Sequence, residues 1–155
     1  MKKLILPAIL LFLAGCDYDI PLSQTPSAPA NPALAGKWSG QPANEKPVRI
    51  EIKTSGTDYS VIYTEGGDEL TFKGFEIKAA GLNLIQLELK DAEKQKYLFA
   101  KYELTPDGLS VYRLNPEVVS AKCQTAEELL NDLAVHRNNP FLFSEPLKFT
   151  RSVQQ

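Results

Sequence analysis

Between residues 48 and 104, apolar and polar residues alternate with a period of two in one segment after another. Val48, Ile50 and Ile52 alternate with Arg49, Glu51 and Lys53. Tyr59, Val61 and Tyr63 share one side of the next segment, and Leu70 and Phe72 continue the pattern. Gly74 interrupts it, and Phe75, Ile77 and Ala79 resume it one residue out of phase. Ile85, Leu87 and Leu89 follow, and then Leu98, Ala100, Tyr102 and Leu104. Leu109–Leu114 and Leu147–Thr150 are two further short runs. A period of two is the mark of a strand with one dry face. The out-of-phase step at Gly74 predicts a bulge or a sharp bend.

The gaps carry turn chemistry. Residues 54–58, 65–68 and 105–108 hold Gly56, Gly66, Gly67, Pro106 and Gly108, which supply the backbone angles that tight turns need. Strands joined this closely form an antiparallel meander. One helix is expected at about residues 125–137. Thr125 and Glu128 fit a capping box, Ala126, Leu129, Leu130 and Leu133 form an apolar stripe, and His136 and Arg137 suit the helix C-terminus. A meander with one dry face must close or pack against something. The expectation is therefore a mainly β fold: a small antiparallel meander barrel, closed or partly closed, with one C-terminal helix before the last strand. That helix is expected to plug one end.

The N-terminus has a different character. Lys2 and Lys3 precede a ten-residue apolar run, Leu4–Leu13, which is about half the length that spans a bilayer. A positive start, a short apolar run and the small residues Ala14 and Gly15 make a secretory signal. Leu13-Ala14-Gly15-Cys16 resembles the lipobox of bacterial lipoproteins. The resemblance implies that residues 1–15 are a signal peptide, that the Cys16 thiol carries a diacylglyceryl group, and that its new amino terminus is acylated in turn. The protein would then sit on the periplasmic face of a bacterial membrane, held in the bilayer by lipid. Asp17 is similar to the residue that retains such proteins in the inner membrane of enteric bacteria, with the outer membrane as the alternative.

Residues 16–35 read as the lipidated cysteine followed by a proline-rich tether, since Pro21, Pro26, Pro29 and Pro32 rule out a helix. Fully extended, this segment would let the domain stand up to roughly 60 Å off the bilayer. Residues 36–155 are left as a single barrel-like domain. Without residues 1–15, 15 basic side chains face 19 acidic ones, a net charge of about −4. That balance argues against a nucleic-acid partner and leaves anchoring to the lipid.

Gly36-Lys37-Trp38 resembles the Gly-x-Trp that opens the first strand of lipocalins and their calycin relatives. The resemblance implies that Arg151, after the last strand, packs over Trp38 at the closed end of a lipocalin-like barrel.

Catalytic signatures are missing from the chain. It has one histidine, and no His-Glu-x-x-His, Gly-x-Ser-x-Gly, Cys-x-x-Cys or glycine-rich phosphate loop. No cofactor or metal is expected. Cys123, beside Lys122 and ahead of the helix, has two features that favour a thiolate, although a small buried hydrophobe is the simpler reading. Glu51, Glu69, Glu76, Glu88 and Glu103 all fall on strands, where a solvated face explains them. The leading expectation is a non-enzymatic binding or interaction module of the cell envelope, with another envelope protein or wall material as partner. The alternative is a carrier of a small apolar ligand lined by Tyr59, Tyr63, Phe72, Phe75, Phe99 and Tyr102. An enzyme using the strand carboxylates or Cys123 ranks third.

Overall fold

The computed structural model describes residues 18–40 and 46–152. The apolar leader, Cys16 and Asp17 lie outside these residues, so the expectations that rest on them are not addressed by the fold.

Eight strands form a closed antiparallel barrel in sequence order. They are β1 (Gly36–Gly40), β2 (Val48–Ser55), β3 (Asp58–Glu65), β4 (Asp68–Ala79), β5 (Leu82–Leu89), β6 (Tyr97–Thr105), β7 (Gly108–Arg113) and β8 (Leu147–Arg151). The alternating segments become these strands because each pleat sends one apolar row to the interior. The seam closes where Trp38 pairs with Arg151 and Ser39 with Thr150.

Among the described residues one α-helix, α1 (Ala126–His136), precedes β8. The Thr125 hydroxyl accepts from the Glu128 amide at 3.1 Å, as an N-cap should. The Glu128 carboxylate reaches one residue further back than a capping box requires and accepts from the Gln124 amide at 2.9 Å. The helix does not plug the barrel. Leu129 and Leu133 are fully buried in a cluster with Ile77, Ala79, Leu84 and Phe99, which point outward from β4, β5 and β6. A second, inner cluster holds Trp38, Val48, Ile50, Ile52, Tyr59, Leu109 and Phe149. The wall formed by β4–β6 therefore has apolar residues on both faces.

This explains the step at Gly74. The register of β4 against β3 and β5 runs through Gly74 without a break, so there is no bulge. Leu70 and Phe72 face the inner core, while Ile77 and Ala79 face the outer one. The apolar face changes sides, but the strand does not. Gly74 is glycine for lack of space, because a Cβ there would lie 1.9 Å from the Gln86 carbonyl oxygen.

The described part of the expected tether is not a free linker. Tyr18 is 1% exposed and exchanges two 2.8 Å backbone hydrogen bonds with Tyr97. Its hydroxyl donates to the Val119 carbonyl at 2.8 Å, and its ring packs edge-on against Phe99. Ile20 and Leu22 pack on the outer core. The Gln86 side chain, 4% exposed, accepts from the Leu22 and Ser23 amides and donates to the Ser23 carbonyl. Further along, Ser27 donates to the Glu76 carbonyl and Ala30 to the Gly56 carbonyl. Residues 18–31 thus lie along the sheet as a strap, fastened to it at several points along their length.

Candidate functional site

The strap ends in a 3-10 turn, Pro32–Leu34, that folds over one end of the barrel. Asn31 caps the turn by accepting from the Ala33 amide at 3.0 Å. Leu34, 2% exposed, drops into the barrel as its stopper. Trp38 donates from Nε1 to the Leu34 carbonyl at 3.0 Å. The Arg151 guanidinium lies 4.3 Å from the Trp38 ring and donates to the Ala35 and Ala33 carbonyls at 3.0 and 2.7 Å. Gly36 is required under this arginine, since its φ is +132° and a Cβ would sit 2.8 Å from Nη1. Trp38 and Arg151 thus meet at the closed end through a cation–π contact and a pair of backbone hydrogen bonds.

Beside the stopper, at the same end of the barrel, is a polar cluster. Glu76 Oε1 accepts from the Tyr59 hydroxyl at 2.9 Å and the Tyr102 hydroxyl at 3.2 Å. Asn31 donates from its backbone to the Tyr59 oxygen at 2.5 Å and from Nδ2 to the Tyr102 oxygen at 3.1 Å. Burial, chiefly, pushes the Tyr59 phenol above its ordinary value of 10, with Glu76 adding to the rise and the Asn31 amide opposing it. The Tyr102 phenol is raised for the same leading reason. Glu76 therefore departs from the solvated-face expectation, because its carboxylate joins two strands and the strap. Three of the other carboxylates singled out keep outward company: Glu51 approaches Lys53 at 3.8 Å, Glu88 approaches Lys90 at 3.9 Å, and Glu103 accepts from Tyr112 at 3.3 Å.

Beyond the cluster lies an almost wholly apolar cavity of about 140 Å³. It runs from Leu34 and Tyr59 through Ile50, Val61, Phe72, Ile85 and Ala100 to Leu70, Leu87, Leu98 and Leu147, with Lys101 and Arg113 also in its lining. Tyr59, Tyr63, Phe72 and Tyr102 line this space. Phe75 and Phe99 do not. Phe99, fully buried, belongs to the outer core, and Phe75 packs against that core. Each sits three residues from an inward aromatic on its own strand, and an odd spacing sends it to the opposite face. Leu34 and the aliphatic lining were not singled out as a site, since as core residues they carry no signal of their own.

At Cys123 the surroundings favour the simpler of the two readings over a thiolate. The thiol is pushed up by burial first, and by Asp132 and Glu128. Its surroundings favour the neutral thiol, and the pull expected from Lys122 does not prevail. His136 Nδ1 lies 2.9 Å from the Asp132 carbonyl and 3.1 Å from its carboxylate, on its own helix. Among the described residues there is no cluster of three or more metal-ligating side chains, and no helix is long and apolar enough to cross a membrane.

Comparison with protein-family models, with curated proteins and with solved structures finds no match to this chain.

Proposed function

We propose that this protein is a lipid-anchored binding module of the bacterial cell envelope, non-enzymatic, whose barrel receives a slim apolar group. The observation that carries the binding reading is the apolar cavity of about 140 Å³, closed at one end by Leu34. Ligand pockets of drug-sized molecules run to about 300 Å³ and more. Apolar cavities near 150 Å³ stay dry and take a guest the size of benzene. The fitting guest is thus a single ring or a short stretch of acyl chain. The polar cluster at the floor is satisfied by its own members, so it leaves shape and apolar contact to do the selecting. The Trp38–Arg151 closure of an eight-stranded barrel supports kinship with the lipocalins and calycins, at the small end of their size range.

The anchoring half of the reading rests on Leu13-Ala14-Gly15-Cys16 and on the short apolar leader before it. Cys16 carries the lipid, and Asp17 assigns the protein to the periplasmic face of the inner membrane.

Both halves have direct tests. Native mass spectrometry of protein purified from its host without refolding should find an apolar guest, and an environment-sensitive apolar fluorophore should bind in a way that the guest displaces. Ala100→Phe fills the cavity from its wall and should lower fluorophore affinity at least tenfold while the barrel still folds. Equal binding by the variant would refute the cavity as the site. Metabolic labelling with a fatty acid should mark the native chain and leave Cys16→Ser unmarked. Asp17→Ser should move the protein to the outer-membrane fraction.

A further inference from the structure

The strap changes what a lipid at Cys16 would do. Tyr18 is fixed to the barrel by two backbone hydrogen bonds to Tyr97, a hydroxyl bond to Val119 and an edge contact with Phe99. Asp19 adds an ion pair to Lys96 at 2.5 Å. Only two peptide units separate Cys16 from Tyr18. At 3.8 Å between consecutive Cα atoms, Cys16 lies within roughly 8 Å of a residue packed on the outer wall. An acyl chain on that cysteine brings the wall to the bilayer surface and leaves no room for a long stand-off.

We infer that the domain docks against the lipid surface through the flank around Tyr18, with the exposed Phe141 side chain inserted among the lipids. This rests on the lipid-anchored reading above. Phe141 belongs to that flank. Tyr18 donates to the Val119 carbonyl, the Val119 amide donates to Asn115, and Asn115 Nδ2 donates to the Phe141 carbonyl at 3.0 Å. Its neighbour Leu142 shares the outer core with Tyr18. Phe141 itself is 70% exposed, a cost in water that insertion at an interface removes. The loop at residues 90–96 lies beside Tyr18 through the Lys96–Asp19 pair and carries Lys90, Lys94 and Lys96 against Asp91 and Glu93. Its charges nearly balance, so apolar contact and the covalent lipid hold the face down, and anionic headgroups add little.

The test uses the full acylated chain, purified from membranes and reconstituted into phosphatidylcholine vesicles with brominated acyl chains. Phe141→Trp places a fluorophore on the flank, and Thr57→Trp places one on the exposed β2–β3 turn at the closed end of the barrel. The native chain, whose Trp38 is buried, supplies the background. Intact mass establishes acylation separately. The expected result is that bromine quenches the added emission of Phe141→Trp by at least half and leaves that of Thr57→Trp unchanged. If the chain is acylated and tryptophan at 141 is quenched no more than at 57, the docking face is wrong and the anchor stands. A mature chain without acyl mass would overturn both the anchor and the docking drawn from it.

Discussion

Gly74 and Tyr59 show how narrowly single positions are determined. At Gly74 a methyl group would strike the Gln86 carbonyl on the neighbouring strand. Gly74→Ala should therefore cost about 2 kcal/mol or more, read as a fall in the denaturant midpoint with the slope unchanged. Tyr59 makes its prediction through pH. Its folded pKa lies above its unfolded value of 10, because burial disfavours the phenolate. The unfolded state therefore loses its proton first as pH rises. Stability is complete below pH 10 and falls above it, by up to about 1.4 kcal/mol per pH unit from this group. Chemical denaturation across that range should show the fall, and phenolate absorbance should show Tyr59 ionising only as the barrel unfolds. A Tyr59 that titrates normally in the folded protein would contradict its placement against Glu76 and Asn31.

Among the elements, the strap is the one that composition hid. Its prolines and small residues read as a linker, because they leave little that a helix or a sheet ladder could use. What the alphabet could not carry is where Tyr18, Ile20 and Leu22 find partners, since those partners sit on β4–β6 and in the Val119 segment, far away in the chain. The barrel strands were legible for the opposite reason, because a strand's inner row repeats every second residue within the strand itself. The same rule distinguishes Phe99 from Tyr102 and Phe75 from Phe72, so the true lining was readable from parity, although the six aromatics were grouped by type. The phase step at Gly74 was visible too, and its meaning required knowing that a second core lies outside. A chain beginning at residue 32 should lose the strap's contribution, with Tyr18 alone supplying about 3 kcal/mol or more. Its melting temperature should drop by many degrees, and it should bind hydrophobic dyes at the uncovered wall. An unchanged melting curve would mean that the strap only rests on the surface.

For the whole molecule, the two cores share the strands between them. Phe72, Ile85 and Ala100 face inward on the same strands that send Ile77, Leu84 and Phe99 outward. Neither core can come apart while the other keeps its wall. Leu133→Ala, in the outer core, should cost about 2–5 kcal/mol. The loss should appear in the emission of Trp38, in the inner core, as one shifted transition. Two separate transitions would show that the cores unfold independently.

The seam at Trp38 and Arg151 also has a consequence in time. Contacts between residues so far apart in the chain carry the largest loop-closure cost and form late. A chain emerging from a ribosome has its first seven strands in hand before β8 arrives. Until Arg151 is delivered, Trp38 has no partner across the gap, and β1 and β7 remain open edges. The barrel can close only when β8 reaches β1, so the whole meander has to be laid down before its two outer strands lose their open edges.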